Sequence, residues 1–215
     1  MTATPIDLAT WPRADQFRLF RGYERPHYAV TSRLDTTRVA ALRRERGLSL
    51  YRAVLFAAGS GLHAVPELMM RFRGDAVVRH DRVALSITVA TEAGSFAYVD
   101  VPFAADFAAF DREARARIEA ARTRRDLGAD DGSRDAVAYL SCLPWLDFTA
   151  ITNAMPGPDD CIPRVSWGKV VGAEGGPSSV ALAIEVHHAL VDGAHVGTFF
   201  AAVQAALDVL EPGDP

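Results

Sequence analysis

The sequence predicts an α/β fold, a single two-layer domain in which helices pack against a mixed β-sheet. Three observations predict it. Segments with helical apolar spacing follow and precede short strand-like runs along the chain. Apolar residues make up 49% and charged ones 23%, an ordinary globular balance. The 215 residues support a sizeable core, and no internal repeat or low-complexity linker divides them, so residues 1–215 read as one domain.

The elements follow in order. Residues 1–30 read as an irregular arm carrying Trp11, Phe17, Phe20 and Tyr23. A helix is expected over 36–46, because Asp35 or Thr36 can cap it and Gly47 can stop it. A second, apolar helix over 50–64 ends before Pro66. Strands are expected near 68–73, 76–80, 83–90 and 96–101, punctuated by Gly74-Asp75 and Glu92-Ala93-Gly94. A helix over 104–122 places Phe107, Phe110, Ala114 and Ile118 on one face. The stretch 123–135, TRRDLGADDGSRD, reads as a mobile loop. Three strand-like runs follow, 136–141, 164–171 and 179–187, with an extended PWLDFTAIT segment between the first two. The last helix spans 194–210, with Val196, Phe199, Phe200, Val203, Leu207 and Leu210 at i, i+3, i+4 spacing.

Composition also excludes functions. A formal net charge of −4 and a pI near 5.9 argue against a nucleic-acid-binding surface. No apolar run approaches the ~18 residues that span a bilayer, and MTATPIDLATWPRAD lacks the basic start and apolar stretch of a signal peptide. Cys142 and Cys161 form neither a CxxC pair nor a disulfide framework. A reduced, cytoplasmic setting is expected, with neither membrane nor nucleic acid as partner.

Six histidines occur in the chain, and three of them fall in VALAIEVHHALVDGAHVGTFF, at 180–200. The run SVALAIEV is apolar on both parities apart from Glu185, which describes a strand covered on both faces. His187 and His188 stand at its end, beside the start of the last helix. An imidazole there can take a proton from a hydroxyl or thiol near neutral pH. Read from spacing alone, Asp192 can equally be a helix cap and the histidines satisfied polar groups at a strand end. A metal site fits poorly: adjacent strand residues face opposite ways, and no cysteine or second carboxylate is close in sequence to complete a tetrahedral set. No GxSxG elbow supports a serine hydrolase.

HHALVDGAHV resembles the HHxxxDGxH signature of the chloramphenicol acetyltransferase family, part of a wider group of CoA-dependent acyltransferases. Other segments resemble the same family in the same order. TWPRADQFRLFR at 10–21 resembles its WxRxxxF segment, and TSRLD at 31–35 its TSKID-like strand-to-helix entry. CLPWLDFTAIT at 142–152 resembles PWxxFxSF, and VSWGKVV at 165–171 a TMGKY-like strand. The resemblance therefore spans nearly the whole chain and implies the chloramphenicol acetyltransferase-like fold.

By that resemblance the enzyme transfers an acetyl group from acetyl-CoA to a hydroxyl of a small molecule, chloramphenicol or a related acceptor, in the manner of antibiotic-resistance enzymes. His188 corresponds to the general base, and His187 and His195 read as structural. Asp192 corresponds to an aspartate that pairs with an arginine of the N-terminal arm, here Arg13, and holds the loop. Ser166 matches a threonine that assists at the tetrahedral intermediate through water. Lys169 matches a lysine that approaches CoA. Leu19, Phe20 and Phe96 match acceptor-pocket positions, with fewer hydroxyls than in the family, which implies a more hydrophobic acceptor. The serine of PWxxFxSF, an oxyanion donor, is replaced by Ala150. Thr149 is adjacent but of opposite parity, and Thr152 lies about 7 Å further along an extended chain. Losing one such donor typically costs roughly 10²–10³ in turnover. The resemblance also implies a homotrimer with each site in a cleft between subunits, and no metal. Two other readings follow: a catalytically impaired homologue binding a small molecule or partner in the same cleft, and the core of a dihydrolipoyl acyltransferase. HHALVDG in place of the DHRxxDG typical of the latter speaks against it.

Overall fold

The computed structural model describes residues 2–128 and 134–211. The chain runs β1 (Ala3–Ile6), α1 (Ala14–Arg21), β2 (His27–Asp35), α2 (Thr37–Arg46), α3 (Leu50–Ala64) and a 3₁₀ turn (Pro66–Met69). It continues through β3 (Met70–Arg73), β4 (Ala76–His80), β5 (Ala84–Ala90), β6 (Phe96–Pro102) and α4 (Phe107–Arg122). It closes with β7 (Val137–Cys142), β8 (Arg164–Gly172), β9 (Ser178–His187) and α5 (Gly193–Val209).

Six strands form one sheet in the order β2-β9-β8-β7-β5-β6, and β1, β4 and β3 form a second, smaller one. Pairings β5–β7 and β7–β8 are parallel while the others in the large sheet are antiparallel, so the sheet is mixed. Side chains alternate across a strand, and register carries that alternation across the sheet. One row reads Val99, Ile87, Leu140, Val165, Ile184, Val30. It faces α3, α4 and α5, whose Phe56, Phe110 and Phe199 are buried in the same core. The next row reads Asp100, Ser86, Tyr139, Arg164, Glu185, Ala29 and faces the other way. The sheet thus has an apolar face under the helices and a polar face opposite.

Local chemistry sets the helix ends. The Arg52 N–H donates to Ser49 Oγ at 3.3 Å to open α3, and Pro66 closes it. The Ala109 N–H donates to Asp106 Oδ2 at 2.8 Å, so α4 begins at Phe107, later than the expected 104. Gly47 ends α2 at φ 70°, a left-handed conformation that favours glycine. The Thr37 N–H is taken by Asp35 Oδ1 at 2.7 Å, so Asp35, not the Thr36 hydroxyl, supplies the first-turn acceptor of α2.

Several expectations need correction. The arm is not irregular: it contains β1, α1 and the start of β2, which pairs with β9 from His27↔His187 to Asp35↔Ser179. Only 70–73 of the strand expected over 68–73 forms, because Pro66 lacks an N–H and starts a 3₁₀ turn. Of the expected loop over 123–135, residues 129–133 lie outside the described residues.

Candidate active site

The Val180–Phe200 stretch is built from β9, a short turn and α5. The turn is closed by Leu190 and Val191 N–H groups, both donating to the His187 carbonyl at 3.1 Å. Asp192 caps α5: its Oδ1 accepts from the Ala194 N–H at 3.2 Å, while His195 Nδ1 accepts from the Asp192 N–H at 3.1 Å. Arg13, at the start of α1, donates to the other Asp192 oxygen and, at 3.4 Å, to the His188 carbonyl. Capping and ion pairing therefore coexist at Asp192. Burial alone would raise its carboxyl pKa; the Arg13 charge, His195 and their hydrogen bonds outweigh burial and hold it below the ordinary value.

The two adjacent histidines have opposite surroundings. His187 is 2% exposed; its Nε2–H donates to the Pro158 carbonyl at 2.9 Å and its Nδ1 accepts from the Ala189 N–H at 3.1 Å. Both ring nitrogens are occupied, and burial pushes its pKa down to about 4. His188 makes its backbone bond to the Pro26 carbonyl at 2.9 Å, while its ring stacks on Phe20 at 3.9 Å and 6° and meets Tyr28 at 4.8 Å. Its Nδ1 is buried without a partner among the described residues, so Nε2 is the nitrogen left to meet a substrate. Tyr28 donates to the Val191 carbonyl at 3.4 Å, and burial, then the Asp192 charge, pushes its phenol up to about 12. The site thus combines an aromatic shelf, a clamped carboxylate and an open ring nitrogen, a set of groups able to exchange a proton with a hydroxyl.

Ser166 lies elsewhere, 1% exposed on the polar face of β8. Its hydroxyl donates to Asn153 Oδ1 at 3.3 Å; the Asn153 backbone N–H and side-chain amide both donate to Glu185 Oε2, at 2.6 and 3.0 Å. Asn153 was not visible as a site residue in the sequence, whereas Glu185 had a signal, being the one charge in an apolar strand. Two cavities open nearby. One, of about 440 Å³, lies over the polar face between β6 and β8. The other, of about 1490 Å³, is lined by Lys169 and Phe96 as expected site residues, together with Arg43, Arg44 and Trp145. Arg43 and Arg44 stand in the last turn of α2, where basic side chains also suit the helix dipole, which hid them as site residues in the sequence. Thr88 and Ser141 line both cavities, which therefore adjoin.

The structure brings His188, Asp192, Arg13 and Phe20 together. Phe96 stands at the larger cavity with Lys169, apart from Phe20. Thr149 and Ala150 are exposed and line neither cavity, and Leu19 is 56% exposed on α1.

The fold is shared with a dihydrolipoamide acetyltransferase core: that of Azotobacter vinelandii superposes with TM-score 0.66 at 21% identity, covering 91% of this chain and 86% of its own. A solved chloramphenicol acetyltransferase superposes more fully, with TM-score 0.88 at 27% identity over 96% of this chain and 100% of its own. The chloramphenicol acetyltransferase of Streptomyces acrimycini is 29% identical over 211 residues, 96% of this chain and 94% of that protein. Chloramphenicol acetyltransferase 2 of Escherichia coli is 24% identical over 209 residues, 97% of this chain and 98% of that protein. The family model for chloramphenicol acetyltransferase matches residues 1–204, and the chain belongs to that family; it is an acyltransferase.

Proposed function

We propose that the protein transfers the acetyl group of acetyl-CoA to a hydroxyl of a small molecule, with His188 as general base, in the cytoplasm. The acceptor O–H gives its proton to His188 Nε2 as its oxygen attacks the thioester carbonyl. The tetrahedral intermediate then expels the CoA sulfur: the C–S bond breaks, the new C–O bond stays, and the imidazolium returns its proton to the thiolate. The products are an acetyl ester and CoA thiol, and the histidine ends neutral. The observation that carries this reading is the contrast between the adjacent histidines, one with both nitrogens committed and one with Nε2 open. The large cavity supports the donor: Arg43, Arg44 and Lys169 offer cations to the phosphates of CoA, and Trp145, 74% exposed, offers a ring face to its adenine.

The reading includes a homotrimer with sites between subunits. Ser166 lies opposite Ala183 on β9, five residues before His188, and so about 17 Å from it at ~3.4 Å per strand residue. Reacting groups must approach to about 3–3.5 Å, so the base and Ser166 of one chain cannot serve the same acetyl group. A second copy bringing its own His188 to the cavities of the first removes the difficulty.

The competing reading, a homologue that binds in the cleft without turnover, draws on Ala150, where the family-like oxyanion donor is missing. CoA-thiol release with a panel of hydroxylated acceptors separates the two. Turnover is expected, and His188→Ala should abolish it while leaving the melting temperature and CoA binding nearly unchanged. A His188→Ala protein that kept most of the parent's rate would refute the mechanism.

A further inference from the structure

The smaller cavity sets polar side chains among apolar ones such as Val137, Leu140 and Val165. Its floor is the outward face of the large sheet, where Ser86 is 5% exposed and Arg164 9%. Buried polar groups need partners, so the way this lining is satisfied describes what it holds. The charges are already matched. Arg164 meets Asp160 at 2.8 and 3.1 Å, and Arg134 meets Asp100 at 2.7 Å. A charged ligand would have to break these pairs. What remains is hydroxyl: those of Ser86, Thr88, Tyr98 and Ser141 line the cavity and have no protein partner among the described residues. Each can donate one hydrogen bond and accept two. A ligand that matches them presents several groups that both donate and accept, and carries no net charge.

We infer that the acceptor is a neutral polyhydroxylated molecule of sugar-like chemistry, held over the polar face of the sheet by the hydroxyls of Ser86, Thr88, Tyr98 and Ser141. This rests on the acetyl-transfer reading and names the class of its acceptor. Thr88 and Ser141 stand where the two cavities adjoin, so the ligand hydroxyl bound by them is the one nearest the thioester. His188 of a second copy takes its proton. An apolar aryl alcohol would leave these hydroxyls unpaired, and sites built to bond a hydroxyl discriminate by about 10⁴–10⁵ against analogues that lack it.

Two measurements test this. In the first, CoA release is followed with methyl α-D-glucopyranoside and maltose on one side, and chloramphenicol and 3-phenyl-1-propanol on the other. The sugars are expected to show kcat/KM at least tenfold higher; equal or higher values for the aryl alcohols overturn the inference. In the second, maltose binding to the His188→Ala protein is measured by calorimetry, which needs no turnover and so stands apart from the failure of the acetyl-transfer reading. Thr88→Val and Ser141→Ala in that background should each weaken binding by about three- to tenfold. Unchanged melting temperatures identify folded variants. Maltose that fails to bind, or binds the variants as well as the parent, overturns the inference whatever the activity shows.

Discussion

His187 and His188 share a sequence neighbourhood, yet the strand's alternation sends their side chains into opposite chemistry. His187 is held neutral. Unfolded, an imidazole binds a proton near pH 6.5; in the fold burial, and then the charge of His27, delay this to about pH 4. His27 meets its ring at 5.0 Å, and Arg21 and Asp159 act on it from the neighbouring segments. Between these values the unfolded state holds more protons, so the stability His187 contributes is full above pH 6.5 and is lost as pH falls toward 4. Melting curves across that range should fall less steeply for His187→Gln than for the parent. Parallel slopes would mean the ring is not kept neutral. Carboxylates such as Asp192 and Asp160, held below their usual range, add a loss that sets in below about pH 5 and is common to both proteins. The meeting of His188, Asp192 and Arg13 was legible in the sequence because all three lie in recognisable local patterns. Asn153 was not, because its role comes only from meeting Glu185 and Ser166 across the fold.

At the level of elements, α5 was legible because its apolar stripe repeats at helical spacing, and α3 because its cap and its closing proline are local. The start of β2, residues 27–30, was missed for a physical reason, while 31–35 was marked as a strand by resemblance alone. β2 is an edge strand carrying Thr31, Ser32, Arg33 and Asp35, so its apolar pattern is weak and its pairing with β9 defines its extent. The polar row was equally hidden, since it is assembled from strands far apart in sequence and exists only once register is set. Where α3 meets α5, close packing depends on a residue without a side chain. A Cβ on Gly61 would stand 2.5 Å from Val203 Cγ2 and 2.9 Å from Phe199 Cδ2, both in the core. Gly61→Ala should therefore cost about 1–3 kcal/mol by overpacking, despite alanine's better helix propensity. For a chain this size each kcal/mol lowers the melting temperature by about 2–4 °C. A variant as stable as the parent would show that the helices part at no cost.

For the whole molecule, the proposed roles of His188 and Ser166, far apart along the sheet, tie catalysis to assembly. Light scattering at micromolar concentration should report three copies, and the mass should stay trimeric wherever activity persists. An active monomer would contradict shared sites. The arrangement of the cavities has a further effect on traffic. Among the described residues their linings have Thr88 and Ser141 in common and are otherwise separate. If the donor takes the larger cavity and the acceptor the smaller, as proposed, a bound donor leaves the acceptor's cavity free. Under the proposed reading either substrate can arrive first, both are present together when the acetyl group moves, and the protein never has to carry that group itself.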